Sequence, residues 1–258
     1  MWMNRRAPII GFPVAVILLA MFWCSTALAF SCSVTGTIEI QGQSARGLAC
    51  DAGTIWATFM PGRDTDHCVI YKFDAATNQV VGQSAQFHWN GRSICAGNGF
   101  LWVTDALADR IHVLDPATLQ EVRSFATPGS EPCGIAFDGS SLWLNDPWSG
   151  GCFHLDLNGQ VLGVFPIPNV YREGLEWHDG LLYTNPALTT VSAYTTGGQL
   201  AETYDLGCLP AGARVLDLTF SGALLYVSDD IDGKIRILAV APIATEIASW
   251  SGLKNLYR

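Results

Sequence analysis

Residues 99–122 read GFLWVTDALADRIHVLDPATLQEV, and residues 138–161 read DGSSLWLNDPWSGGCFHLDLNGQV. Both carry an apolar run with an aromatic, an Asp, a loop, an alternating run and a turn before another run begins. The word returns as GTIWATF, LLYTNP and LLYVSD, with the aromatic at Trp56, Trp102, Trp143, Tyr183 and Tyr226 and spacings of 46, 41, 40 and 43. A unit of about forty residues holding several strands is the mark of a β-propeller, so the predicted fold class is all-β.

Each copy supplies four strands. The first runs (GLACD, SICAG, GIAFD, GLEWHD, VLDLTF) are short and small-sided, as the innermost strands of converging blades must be. The second carry the aromatic. The third (CVIYKFD, RIHVLD, CFHLDL, TVSAYTT, KIRILAV) alternate, as half-buried strands do. Turn residues AATN, PATL, LNG and TGG lead to outer strands such as EVRSFA and QVLGVFPI. No stretch reads as a long amphipathic helix. Five four-strand sets run from Arg46 to about Trp250, and an extra strand, Thr35 to Ile40, precedes them. Pairing that strand with the last blade closes a five-bladed ring. An incomplete six-bladed ring is the alternative, less favoured because it leaves sheet surface unburied.

Arg5 and Arg6, the apolar run from Ile9 to Trp23 and Ala27-Leu28-Ala29 form a secretory signal pattern. The predicted division is therefore residues 1–29 as signal peptide and 31–258 as a single propeller domain, with an uncleaved anchor as the alternative. The expected location is secreted or periplasmic. Without Arg5 and Arg6, 12 basic residues face 23 acidic ones, which argues against nucleic acid and anionic membranes as partners. A monomer is expected. Cys24 falls in the signal, and Cys32, Cys50, Cys68, Cys95, Cys133, Cys152 and Cys208 remain. Export predicts disulfides, while spacing gives no connectivity and an odd count leaves at least one thiol over.

The two quoted copies resemble the NHL/YVTN superfamily of exported propellers, which hosts many functions. Two enzyme groups with related blades also show likeness. Leu175-Glu176-Trp177 followed by GLLYTN resembles the fourth-blade word of plant-type glutaminyl cyclases. Their inner-strand acid in the second blade is, however, matched here by the cation of Gly91-Arg92-Ser93. Glu173-Gly174-Leu175 and the strand ending in Asp229 resemble metal-bearing segments of gluconolactonase-type propellers. That resemblance implies a divalent cation such as calcium on Glu173, Asn185 and Asp229. The residues themselves call for no cofactor, and Arg46-Gly47-Leu48 stands where that family needs a Glu.

Aligning the copies on Leu48, Ile94, Ile135, Leu175 and Leu216 puts Arg46, Arg92, Cys133, Glu173 and Arg214 at the starts of inner strands, with Arg172 one position further back. Arginine forks suit carboxylates and phosphates. The leading expectation is therefore a mouth that binds a small anionic molecule or a protein segment through Arg46, Arg92, Arg172 and Arg214. The competing reading is that these arginines pair with loop aspartates and lock the blades. Asp105, Asp146, Asn185 and Asp229 close the second strands and suit both ligand contact and loop N–H groups. Trp148 follows Asp146-Pro147 and is a candidate stacking platform. For an enzyme, the acid–base candidates are Glu173, Glu176 and Asp229. A pure interaction scaffold is the third class, and its expected sign is a broad apolar patch on one rim. No GxSxG, HExxH or P-loop occurs.

Overall fold

The structure, a computed structural model, describes residues 30–62, 65–165 and 174–242. The signal region, Arg63, Asp64, Arg172, Glu173 and residues 243–258 lie outside the described part. After β1 (Phe30–Ile38), the first sheet is β2 (Ser44–Asp51), β3 (Thr54–Met60), β4 (Val69–Asp74) and β5 (Val80–Gln83). The second is β6 (Gly91–Gly97), β7 (Phe100–Asp105), β8 (Arg110–Leu114) and β9 (Glu121–Ala126). The third is β10 (Ile135–Phe137), β11 (Leu142–Asp146), β12 (Gly151–Leu155) and β13 (Val161–Phe165). The fourth is β14 (Leu175–His178), β15 (Leu181–Ala187), β16 (Thr190–Tyr194) and β17 (Leu200–Asp205). The fifth joins β18 (Val215–Ser221), β19 (Leu224–Asp229) and β20 (Ile235–Pro242) to β1 as its outermost strand. Strand β1 runs antiparallel to β20, with Phe30 opposite Pro242 and Ile38 opposite Ile235. The ring has five blades. Its closing strand spans Phe30–Ile38 rather than Thr35–Ile40, and the fifth set contributes three strands of its own to the described sheet.

Strand alternation explains the packing. Successive side chains point to opposite faces of a blade, so each strand feeds two inter-blade gaps. Ile55 and Ala57 pack toward the fifth blade together with Tyr226 and Ile237, whereas Trp56 packs toward the second with Ile94 and Val103. Trp102, Trp143 and Tyr183 likewise face the following blade. The result is five apolar clusters, one per gap. The last gap is sealed by Tyr226, whose hydroxyl lies 3.0 Å from Asn78 Oδ1 in the first blade.

Pairing registers correct the sequence alignment of the fifth blade. Leu48 pairs with Ala57, Ile94 with Val103, and Leu218 with Val227, each just after a bulge. The equivalent of Leu48 is therefore Leu218, and Arg214 stands four positions before it instead of two. Composition does not reveal the difference, because Leu216 and Leu218 are both apolar. At each bulge a polar side chain of the second strand serves two blades. Thr58 Oγ1 accepts the Gly47 N–H at 2.7 Å and donates to Gly91 O at 2.9 Å. Thr104 takes the Ser93 N–H and donates to Cys133 O. Ser228 takes the Asp217 N–H and donates to Arg46 O.

One disulfide, Cys32–Cys208, ties β1 to the loop before β18 across a sequence separation of 176. Cys50, Cys68 and Cys95 remain thiols, more than the odd count alone required. Among the described residues no helix is long and apolar enough to cross a membrane.

Candidate functional site

Inner strands start on the face where the loops joining second to third strands emerge. Asp105 and Asp229 bind these two features together. Asp105 Oδ1 accepts the N–H groups of Asn90, at the start of the second blade, and of Leu107, in the loop, each at 3.0 Å. Asp229 Oδ1 accepts those of Arg214 and Ile231, each at 3.1 Å. Asp146 accepts from Trp148 N and Ser149 N through Oδ1 and from Ser149 Oγ through Oδ2. Burial alone would raise the Asp105 carboxyl, but His112 and three backbone amides hold it below the usual carboxylate range. Asn185 belongs to a different column from these aspartates. Its Oδ1 accepts the Gly174 N–H at 3.0 Å and its Nδ2 donates to Val215 O at 2.6 Å. That is the role of Thr58, Thr104 and Ser228, while Pro186 occupies the aspartate column.

The arginines divide. Arg46 is buried, with Nη1 3.2 Å from Oδ1 of an equally buried Asp230. Arg214 Nη1 lies 3.7 Å from the other oxygen of Asp230, and this side chain keeps 28 % of its surface. Arg92 is half-buried and donates through Nε to Asn90 Oδ1 at 3.0 Å. Arg46 and Arg92 hold the same position on adjacent inner strands that nearly touch, since a Cβ on Gly47 would sit 2.6 Å from Ser93 Cα. Asp230 was not foreseen as the partner of Arg46, because it follows the recurrent aspartate instead of occupying its column.

Around this mouth stands an apolar crown, of which the sequence analysis singled out only Trp148. Leu107, Trp148, Leu188 and Ile231 are 60, 73, 61 and 64 % exposed. Each lies two positions after the end of the second-strand word, Asp105, Asp146, Pro186 and Asp229. A column of large apolar residues in loops was the available signal.

Below the mouth the axis is closed. The residue before each aligned Leu or Ile is Gly47, Ser93, Gly134, Gly174 or Asp217. Asp217 is 1 % exposed and fills the space that the glycines leave. Its Oδ2 accepts Leu48 N–H at 3.0 Å and Ser93 Oγ–H at 2.7 Å, and its Oδ1 accepts Leu218 N–H at 2.9 Å. Ser93 Oγ is also 3.3 Å from Ile135 N, and a Cβ on Gly174 would be 2.6 Å from Asp217 Oδ1. One carboxyl thus touches or reaches all five blades. Burial holds the Asp217 carboxyl well above the ordinary carboxylate range, against the opposing pull of the Ser93 hydroxyl and the Leu48 and Leu218 N–H groups.

Glu176 lies beyond this stopper, toward the opposite face. It fills the column occupied by Ala49, Cys95, Ala136 and Thr219. Burial pushes its carboxyl up to about 8, against the opposing pull of Thr219 Oγ1 at 3.0 Å and the Phe220 N–H. Glu176 is therefore positioned to exchange a proton near neutrality. Two other polar clusters have structural wiring. Ser141 Oγ is 2.6 Å from His154 Nε2, but it donates to Asp138 Oδ2, which also takes the Trp143 indole N–H. The carboxylate thus holds the serine, not the far nitrogen of the imidazole, the reverse of a hydrolase triad. His112 is buried in a stack with Trp89 and Phe87, with centroids 3.8 and 3.9 Å apart. Among the described residues no three His, Cys, Asp or Glu side chains converge on a metal-sized site.

No protein-family model matches the sequence, and no curated protein sequence matches it. Solved structures do match. A glutaminyl cyclase from Myxococcus xanthus superposes with a TM-score of 0.68 at 12 % identity, covering 83 % of this chain and 99 % of that one. Virginiamycin B lyase from Staphylococcus aureus gives 0.52 at 14 % identity, covering 81 % and 99 %. A chain of the mitotic checkpoint complex gives 0.56 at 12 % identity, covering 93 % and 98 %. At such identities the likeness is one of fold, and the fold of this chain is the five-bladed β-propeller, a scaffold that carries both enzymes and interaction proteins.

Proposed function

We propose that the protein is an exported propeller whose mouth binds a protein segment bearing a carboxylate, with apolar neighbours of that carboxylate resting on the crown. The observation that carries this reading is the placement of Leu107, Trp148, Leu188 and Ile231, all exposed, around inner-strand starts that bear Arg46, Arg92 and Arg214. Exposed apolar surface ringed by polar groups marks interaction sites, and tryptophan and arginine dominate binding energy at them. Arg46 and Asp230 form the buried support, and the more exposed Arg92 and Arg214 bring positive charge to the mouth. Arg172 belongs to the same proposed set. The stopper at Asp217 gives the mouth a floor. Fluorescence anisotropy with peptides pairing apolar residues and a free carboxylate tests this. Trp148→Ala or Arg92→Ala should weaken binding about tenfold, and amidating the carboxylate should do the same. Equal affinity of all these forms would reject the proposal. Export itself is checked by the mature amino terminus, which should lie near Phe30.

A second reading rests on Glu176. An acid near 8 in a propeller whose fold matches a glutaminyl cyclase supports an enzyme acting on a peptide amino terminus. Cyclisation of amino-terminal glutaminyl peptides by the purified protein, abolished by Glu176→Gln, would establish it. Absence of turnover in the wild type would remove it.

A further inference from the structure

A cleft lies on the opposite face, between the fourth and fifth blades. There a cavity of about 300 Å³ is lined by His178, Tyr183, Glu202, Tyr204, Phe220 and Val240, among others, with Asp179 at its edge. The rings form a corner. His178 stacks on Phe220 at 4.2 Å and 17°, and Tyr183 stands at 67° to Phe220 with centroids 5.0 Å apart. Tyr204 continues the wall 6.1 Å from Tyr183. Both carboxylates of the lining are acidic residues of the turns and the outermost strand, and no Lys or Arg lines the cavity. Tyr204 donates to Glu202 Oε2 at 2.5 Å, which fixes the carboxylate beside the rings.

We propose that this cleft binds a small organic cation of the ammonium class. Aromatic faces carry negative charge density and attract cations, and perpendicular rings with a nearby carboxylate are the arrangement that holds a quaternary or alkylated ammonium. A neutral ligand gains no charge attraction from Glu202, and anions are repelled by it. The site is separate from the mouth, so its success or failure leaves the proposal there untouched. Titration with choline, followed by calorimetry or by ring proton shifts, is the test. Choline should bind at least about tenfold tighter than its uncharged carbon isostere. Glu202→Gln keeps an acceptor for Tyr204, lies on an outer strand away from the core, and should weaken choline at least fivefold. Phe220→Leu should do likewise. Equal binding of the isostere, unchanged affinity in a folded Glu202→Gln protein, or no choline binding at all would overturn the proposal.

Discussion

Asp217 and Glu176 each put a carboxyl where the repeat otherwise has a glycine, a serine hydroxyl or a small side chain. Their chemistry separates structure from function. Both oxygens of Asp217 accept hydrogen bonds, so Asp217→Asn must turn an NH2 toward an N–H or O–H donor and should lower the unfolding free energy by about 1–3 kcal/mol in urea. Asp217→Ala would orphan the Leu48 N–H, the Ser93 hydroxyl and the Leu218 N–H and leave a void, costing about 3 kcal/mol or more. For Glu176 the prediction is one of pH. The folded carboxyl titrates at about 8 and the unfolded one near 4.5. Between these values the native state keeps a proton that the unfolded chain releases, so stability falls as pH rises through that window, by at most about 1.4 kcal/mol per unit. Glu176→Gln removes this slope. Unfolding free energies measured from pH 5 to 8 should therefore diverge in favour of the variant.

At the level of strands, the bulges and the hydroxyls that span them set how closely neighbouring blades approach. Thr58 and Thr104 each satisfy an amide in their own blade and a carbonyl in the next. Thr58→Val preserves shape but strips both bonds at a buried site, and should cost about 2–3 kcal/mol by chemical denaturation. Thr104→Val should cost a similar amount, additively, because the two lie in different gaps. The alternation that made these strands recognisable was legible: Trp56, Trp102 and Trp143 lie in the gaps that their period required. The register was legible only by counting. Asn185 looks like the aspartates because it ends an apolar run, yet its amide does the work of a threonine hydroxyl. An amide can both accept and donate, as can a hydroxyl, and a carboxylate can only accept. Counted from the aromatic, Asn185 stands two positions after Tyr183 and Asp229 three after Tyr226, so TNP and VSD align residue by residue and Asn185 falls with Ser228, not with Asp229.

For the whole ring, the period of the aromatic word specified five blades, and the closing strand followed from the unpaired edge of the last one. The connectivity of the disulfide was invisible, because it depends on a contact between residues far apart in sequence. Its removal tests closure. Cys32→Ser should lower stability by roughly 2–5 kcal/mol, seen as a drop of about 5–15 °C in Tm for a domain of this size. The candidate sites were legible only in part. Arg46 and Arg92 hold equivalent positions at inner-strand starts and Trp148 is exposed, whereas Arg214 precedes its strand, and the burial of Arg46 on Asp230, the rest of the crown and the cleft below Tyr183 arise from folding. They bring together side chains from separate repeats.

The carboxyl of Asp217 at the axis also governs traffic. A propeller is often pictured as a tunnel, but this one is two basins set back to back. Whatever arrives at the arginine side must depart from that side, so incoming and outgoing molecules compete for one doorway. The aromatic cleft opens on the other side. Each basin is therefore free to acquire its own occupant, and a change in one has no open route by which to leak into the other.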